Sequence, residues 1–394
     1  MGTGTGETRG NKMKRRNFLF NVGGILLGQT LIGCNGKNQS EFQVLLLKDS
    51  IPGYVVNQFN KRLQSDKTLP HVKLSFVPKN QIYDLFKQLQ TWRETRDKSP
   101  GEKKSPHCDL VTLGDYWLKP AIEQKLIRPL PIKKSKQWSS LQEKWQQLVK
   151  RDDQGNWDSQ GEVWGAPYRW GNTVLVYNQK QLQKFNWQPR DWGDLWRSDL
   201  RSRISLPNHP REVIGLVLKK LGRSYNTVNP VKISNLNIEL ESLNQQVKFY
   251  DSTNYLEPLI TGDTWLAVGW SNDIIPILSR YPQLRAVIPQ SGTAIWADLW
   301  VQPANTLMTE ETDNLISQWI DFCWQPDIAG QIVMLGKTNT PTFINTSKVQ
   351  GISDSIQNLL AIEQELLEKC EFLKPLSLES INQYEELFLK MKTG

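Results

Sequence analysis

The stretch APYRWGNTVLVY, residues 166–177, decides the fold class of this chain. Residues 173–177 are a run of apolar and β-branched side chains, which predicts a strand. Residues 166–171 combine a proline, two aromatic rings and a glycine, and they lead into that strand. Residues 42–47 form another apolar run, without clean alternation, which predicts a strand buried on both faces.

Short β-type runs alternate with segments of helical period on both sides of this stretch. Apolar spacing predicts helices near residues 55–63 and 82–92. Residues 93–106 are charged and contain Pro, Gly and Ser, which predicts a structureless surface insertion. The alternation predicts an α/β architecture. Further strands are predicted at residues 42–47, 72–77, 108–113, 204–206, 265–270, 284–288 and 299–301.

The first 33 residues are predicted to be an export signal. Lys14-Arg15-Arg16 precedes an apolar run that ends at Ile32, which is too short for a membrane-spanning helix. The arginine pair followed by x-Phe-Leu resembles a twin-arginine signal, although the general export route stays open. Leu31-Ile32-Gly33-Cys34 resembles the lipobox of bacterial lipoproteins.

The lipobox resemblance implies a lipid anchor. In that family the cysteine is acylated and becomes the mature N-terminus, so Cys34 would hold the protein to the lipid bilayer on the periplasmic face. Residues 34–40 would then be a tether. The alternative is an ordinary secretory signal with an incidental cysteine.

Composition and charge exclude several classes of function. The net charge of +8 falls to about +4 once residues 1–33 are removed, and no basic stripe is present, so no nucleic-acid partner is predicted. Four cysteines are too few for a disulfide scaffold. Cys108 and Cys323 are predicted to be small buried side chains. The three histidines show no metal-ligand spacing and no phosphate-binding loop is present, so neither metal nor cofactor is predicted.

Four blocks of the mature chain resemble the periplasmic spermidine/putrescine-binding proteins of ABC importers. They are spread over most of the mature chain, which makes the resemblance more specific than a single motif. The blocks are Ala166-Pro167-Tyr168-x-Trp170-Gly171, Trp192-x-Asp194-Leu195-Trp196 with Arg211-Glu212-Val213 and Lys220-Leu221-Gly222, Val268-x-Trp270, and Trp296-x-Asp298 with Pro303-Ala304-Asn305.

The resemblance implies a two-lobed periplasmic-binding-protein type II fold with crossover strands as the hinge. Lobe 1 would hold residues 41–172 and 298–355, and lobe 2 residues 173–297 and 356–394. The implied protein is a monomeric solute-binding lipoprotein and not an enzyme. It would capture a polyamine-like cation by closure of the lobes and deliver it to an ABC permease of the inner membrane.

The family motifs place ligand contacts at Glu212, Asp298, Trp270, Trp296 and Tyr116. A polycation needs carboxylates to pair its ammonium groups and aromatic faces against its methylenes, and these residues supply both. Each also has a structural interpretation. Glu212 follows a potential cap at His209, Asp298 could cap a turn, and the three aromatic residues could belong to the core.

The chain also departs from the family pattern. His209 stands where the family has an acidic residue, and Ser50, with Asp49 beside it, stands where the family has an aromatic one. Lys374 falls near a late polar contact. These departures favour a two-amine ligand such as putrescine, or an altered cationic solute, over spermidine.

Three alternatives to a polyamine-binding protein stay open from the sequence. The first is a solute-binding protein for another small solute, such as an amino-acid derivative, a sugar or an oxyanion. The second is an exported glycan-acting enzyme using Glu212 and Asp298 as paired carboxylates, which would have to lie about 5–9.5 Å apart. The third is a structural envelope lipoprotein without a solute.

Overall fold

The computed structural model describes residues 41–65, 72–98, 108–132, 135–306, 309–342, 354–360 and 362–393. The export signal, Cys34 and the tether lie outside the described residues, as do residues 99–106 of the predicted insertion. No helix in the described ranges has the length and apolar character needed to cross a membrane.

Thirteen strands are assigned within these ranges. They are β1 (Glu41–Leu47), β2 (Lys73–Lys79), β3 (Leu110–Gly114), β4 (Ile127–Arg128), β5 (Lys150–Arg151), β6 (Glu162–Val163), β7 (Ala166–Asn178), β8 (Ile204–Leu206), β9 (Val247–Tyr250), β10 (Leu266–Trp270), β11 (Leu284–Val287), β12 (Ala294–Pro303) and β13 (Glu371–Phe372).

Fifteen α-helices lie in the same ranges, together with short 3₁₀ turns. They are α1 (Gly53–Ser65), α2 (Ile82–Lys98), α3 (Leu118–Glu123), α4 (Lys136–Ser140), α5 (Glu143–Val149), α6 (Gln179–Gln183), α7 (Pro210–Lys220), α8 (Leu236–Asn244), α9 (Glu257–Thr261), α10 (Ser271–Leu278), α11 (Glu310–Trp324), α12 (Pro326–Gly336), α13 (Asp354–Leu360), α14 (Gln364–Lys369) and α15 (Leu378–Thr393).

Two long strands, β7 and β12, join the two halves of the sheet. The strand order is β2-β1-β3-β12-β7-β10-β8-β9, with β4 and β13 pairing β12 and β11 pairing β7. Thirteen residues of β7 extend over about 43 Å, so one strand serves both halves. Its first half pairs with β12, and residues 173–178 pair with β10 and β11. β12 in turn continues along β3.

Two hydrophobic cores hold the layers together. The larger packs α1, α2 and α11 against β1 and β3, with Phe59 and Trp319 in edge contact at 5.0 Å between ring centroids. It continues through the inner side chains of β7 to α10. The second core packs α7, α8 and α15 together, with Tyr225 and Tyr384 buried between them.

The cysteines behave as the sequence predicts. Cys108, Cys323 and Cys370 are free thiols in the described part of the chain, and all three are buried. Burial raises the pKa of the Cys108 thiol to about 12, so it stays protonated and unreactive at neutral pH.

Three boundaries predicted from the sequence are wrong. The strand predicted at residues 299–301 is the longer β12, which begins at Ala294 and ends at Pro303. The strand predicted at residues 173–177 begins at Ala166, because pairing with β12 extends it backwards. Pro167 is accommodated beside the register shift between Asp298 and Leu299. The insertion predicted from residue 93 starts too early, because α2 continues to Lys98 and the Arg93 guanidinium donates to the Gln124 carbonyl.

Candidate functional site

A cavity of about 460 Å³ lies where β7, β12, β10 and the N-terminus of α7 come together. Such junctions between the parts of an α/β fold are common ligand sites. Six of the eight ligand-contact residues predicted from the sequence line it, namely Glu212, Asp298, Trp270, Trp296, Tyr116 and His209.

Glu212 is a buried carboxylate held by neutral donors. It lies in the first turn of α7, where the helix dipole favours a negative charge. The Thr173 hydroxyl donates to its Oε2 at 3.0 Å, and the Trp270 indole Nε1–H donates to its Oε1 at 3.3 Å. Neither donor is charged, and the hydrogen bonds of the neighbouring Arg211 go to other groups, so Arg211 acts on Glu212 through its charge alone. The carboxylate oxygens can therefore still pair with a cation in the cavity.

His209 is the N-cap of α7, as the capping interpretation predicts. Its Nδ1 accepts a hydrogen bond from the Glu212 backbone N–H at 3.3 Å, and Pro210 takes the first helical position. A neutral imidazole whose Nδ1 accepts must carry its proton on Nε2. In this arrangement His209 therefore offers the solute a donor, and does not replace the acidic residue of the family pattern.

Asp298 is already paired with a cation of the protein. Arg169 on β7 is its register partner on β12, and Arg169 Nε donates to Asp298 Oδ2 at 2.6 Å. Both side chains are buried, with 9% and 4% of their surface exposed. Burial raises the pKa of the Asp298 carboxyl, although the guanidinium opposes that rise. The pair contributes almost no net charge to the cavity.

Trp296 lies across a glycine of the neighbouring strand. Gly171 is its register partner, and a Cβ added there would lie 2.3 Å from the indole Cζ2. The Arg169 guanidinium carbon lies 5.8 Å from the centre of the indole ring, within cation–π range. Arg169 therefore engages both of the predicted amine contacts on β12.

Trp270 and Asp273 form the opposite wall. The Tyr255 hydroxyl donates to Asp273 Oδ2 at 3.1 Å and lies 3.3 Å from the Trp270 backbone nitrogen. Burial raises the pKa of the Asp273 carboxyl. This wall supplies acidic and aromatic groups.

Asp115 begins the 3₁₀ turn that follows β3, and its side chain bonds to β12. Its Oδ1 accepts from the Ala297 backbone N–H at 3.1 Å. Burial raises its pKa to about 7, the Ala297 amide opposes the rise, and the charge of Asp298 adds to it. Tyr116, the next residue, is 40% exposed and packs edge-on against Trp117. Its ring faces the solute space and not the core.

Two predicted contacts lie away from the cavity. Asp49 is exposed in the turn after β1 with a φ of 61°, and Ser50 is buried with its backbone N–H bonded to the Leu47 carbonyl at 3.0 Å. Neither is among the described residues that line the cavity, although Leu47 is.

A second cavity of about 670 Å³ adjoins the first and shares Asp115 and Leu373 with it. Its lining has four basic residues, Lys374 among them, against the two acidic residues Asp115 and Glu371. Lys144 donates to the carbonyls of Leu367 and Cys370 at 2.7 Å each, and burial lowers its pKa. The other basic residues of this lining are Lys119 and Arg151. The two cavities therefore differ in the sign of their charge.

Sequence reasoning missed Asp115, Arg169, Arg211 and Asp273, which also line the first cavity. Asp115 and Asp273 each follow a strand that ends at the site, and that position was the available signal. Arg211 donates to the Tyr225 and Lys374 carbonyls, which holds the base of α7 in place. No cluster of three or more potential metal ligands occurs in the described ranges.

Known proteins with similar sequences are solute-binding proteins. A sequence profile described as bacterial extracellular solute-binding protein matches residues 105–362. The spermidine/putrescine-binding periplasmic protein of Escherichia coli K12 is 26% identical over 383 residues, which cover 97% of this chain and 99% of that protein.

Two solved structures share the architecture. The spermidine/putrescine ABC transporter substrate-binding protein PotD of Streptococcus pneumoniae matches with a TM-score of 0.73 at 19% identity, over 90% of this chain and 99% of that one. The cyclic α-maltosyl-1,6-maltose binding protein of Arthrobacter globiformis matches with a TM-score of 0.65 at 11% identity, over 90% and 94%. These likenesses confirm the predicted two-lobed α/β fold, and they do not identify the solute.

Proposed function

This chain belongs to the bacterial extracellular solute-binding proteins, and we propose that it is the exported solute-binding component of an ABC importer that captures a polyamine-like organic cation. Proteins of this family bind and present a solute, so the chain is not an enzyme, and the glycan-acting alternative is set aside.

The observation that carries the proposal is the buried Glu212 carboxylate beside the Trp270 indole. A buried anion is costly, and the hydrogen-bond donors of Glu212 are neutral, so the ammonium group of a solute would add a directly bonded charged partner to the electrostatic contribution of the neighbouring Arg211. Trp270 would add an aromatic face, worth about 0.5–2 kcal/mol toward a cation. The name of the Escherichia coli relative, with spermidine and putrescine in it, supports the same class of solute.

The proposed mechanism is closure of two lobes around the solute. We retain lobe 1 as residues 41–172 and 298–355 and lobe 2 as residues 173–297 and 356–394, with β7 and β12 as the hinge. α15 packs on α7 and α8, which supports placing the C-terminal helix in lobe 2. α13 packs on α10 and β11, which supports placing its residues from 356 onward in lobe 2. A solute touching both lobes favours the closed form.

Location and partners rest on the N-terminal sequence and the relatives. We propose that the protein lies on the periplasmic face of the membrane, anchored through acylated Cys34, and that it delivers its solute as a monomer to an ABC permease. Cys34→Ser should abolish incorporation of a radiolabelled fatty acid and release the protein from membranes. Label retained on that variant would exclude the anchor.

The test of the solute class is calorimetry of the purified protein with putrescine and spermidine, with maltose and glutamate as other solutes. Glu212→Gln should weaken amine binding by about 2–5 kcal/mol, because the ammonium group would lose its charged partner. Glu257→Gln is the matched control, because Glu257 is an exposed glutamate in the first turn of another helix, α9. Equal amine affinity in wild type and Glu212→Gln would contradict the proposal.

A further inference from the structure

Arg169 occupies the part of the cavity that the family motif assigns to an amine. Its guanidinium bonds Asp298 at 2.6 Å and lies over the Trp296 ring at 5.8 Å. A carboxylate and an aromatic face are the two groups that an ammonium ion requires. Here both are engaged by a side chain of the protein.

The position of Arg169 is fixed by the sheet. It lies opposite Asp298 in the β7–β12 register, and its side chain is 9% exposed. Removing a guanidinium from a buried ion pair leaves an uncompensated charge, so a solute ammonium group cannot displace it cheaply. A second ammonium group placed near Asp298 would also meet the positive charge of Arg169.

The neighbouring space also disfavours a second ammonium group. Beyond Asp115 and Leu373 the larger cavity carries Lys119, Arg151 and Lys374. The carboxylate of Glu371, in the same lining, is already paired with Lys219 at 3.1 Å. A long polyamine extending from Glu212 in that direction would bring like charges together. The favourable position for an ammonium group is therefore the wall formed by Glu212, Trp270 and Asp273.

We propose that Arg169 is a built-in cation that fills one of two ammonium positions, so that the solute of this protein carries a single ammonium group. The ammonium would bind at Glu212 and Trp270, and the remainder of the solute, uncharged or anionic, would face Arg169. This inference rests on the proposed function and narrows it: the amine site at Glu212 is kept, and the polyamine-like solute is restricted to one with a single ammonium group.

The experiment compares three probes of similar length that differ at one end: n-butylamine, putrescine and 4-aminobutanoate. Calorimetry on wild type should show putrescine binding no more tightly than n-butylamine, and 4-aminobutanoate at least as tightly. In Arg169→Met the putrescine-to-butylamine affinity ratio should rise by about tenfold or more, because a second ammonium can then pair with Asp298.

Two further variants control the result. The double variant Arg169→Met with Asp298→Asn removes both charges. Its affinity for 4-aminobutanoate relative to n-butylamine should fall, and its putrescine-to-butylamine affinity ratio should rise less than in Arg169→Met alone. It also serves if Arg169→Met alone fails to fold, because it leaves no buried unpaired charge. Arg203→Met removes an arginine that stacks on Trp265 at 4.9 Å and is not among the described residues lining either cavity, so it should keep the wild-type order.

The outcomes separate this inference from the proposed function. Putrescine or spermidine binding wild type at least tenfold more tightly than n-butylamine, or an unchanged affinity ratio in Arg169→Met, would overturn the inference and leave the proposed function standing. If no amine binds wild type at all, the proposed function fails and the inference fails with it.

Discussion

Glu212 and Asp298 are buried carboxylates that line one cavity, yet their surroundings differ. Glu212 accepts from the Thr173 hydroxyl and the Trp270 indole, which are neutral, at the N-terminus of α7. Asp298 accepts from the Arg169 guanidinium across the β7–β12 pair. The comparison teaches that two carboxylates in matching motif positions need not both be available to a ligand, because the partner decides the charge that remains.

The two carboxylates should differ most in the free energy of unfolding that is lost when each is replaced by alanine. Asp298→Ala leaves the Arg169 guanidinium buried without a counter-charge, and breaking such a pair costs about 3–5 kcal/mol. Glu212→Ala removes a buried charge and leaves only neutral donors unpaired, which costs about 1–3 kcal/mol for each group. Chemical denaturation of both variants measures the two losses.

The contradicting result is a loss for Glu212→Ala that equals or exceeds the loss for Asp298→Ala. It would mean that the Arg169 pair is not what balances Asp298. Asp298→Ala combined with Arg169→Met is the control, and it should recover part of the lost stability because no charge stays buried alone.

Two glycines, one beside Asp298 and one behind Glu212, allow the surroundings of the two carboxylates to be compared by substitution. A Cβ at Gly171 would lie 2.3 Å from Trp296, beside Asp298, and a Cβ at Gly215 would lie 2.0 Å from the Tyr225 ring, in the core behind Glu212. Overpacking costs about 1–3 kcal/mol, so both Ala variants should lose stability. Only Gly171→Ala moves a ring that lines the cavity, so it should also change amine affinity in calorimetry.

Equal effects of the two glycine variants on amine affinity would contradict this assignment. They would indicate that Trp296 does not shape the solute space, or that the core behind α7 is coupled to it. Thermal unfolding of both variants provides the control, because each should show a similar loss of stability.

How much of this the sequence could predict follows from the range of each interaction. His209 and Pro210 cap α7 through contacts between residues that are neighbours in the chain, so the sequence predicted the cap. The position of Glu212 at the cavity follows from the same helix start. The central residues of the strands were also predicted, because short apolar runs mark them in the sequence. The Arg169–Asp298 pair joins residues 129 positions apart, so it depends on strand register, which the sequence pattern did not supply.

The same reasoning explains Asp49 and Ser50. Motif alignment predicts ligand contacts there. The turn after β1 buries Ser50 and leaves Asp49 exposed, and neither is among the described residues lining the cavity, so their contact with a solute stays a prediction. Arg169 itself stands at the position that the motif Ala166-Pro167-Tyr168-x-Trp170-Gly171 leaves unspecified. The motif therefore gave no reason to expect a charge there.

The smallest expected effect on amine affinity is a pH dependence on the Asp298 side, due to Asp115. Burial raises the pKa of Asp115 to about 7, so the folded protein holds a proton there that the unfolded chain releases at its ordinary value of 3.8. Folding stability from this group is therefore full below pH about 4 and declines as pH rises to about 7. Above pH about 7 the ionised carboxylate adds negative charge to the cavity, so amine affinity should rise modestly, by about 1 kcal/mol.

Asp115→Asn should flatten both profiles, measured by denaturation and by calorimetry from about pH 5 to pH 9. An unchanged affinity profile in Asp115→Asn would show that the Asp298 side stays neutral to the solute at every pH tested, and that Asp115 contributes to stability alone.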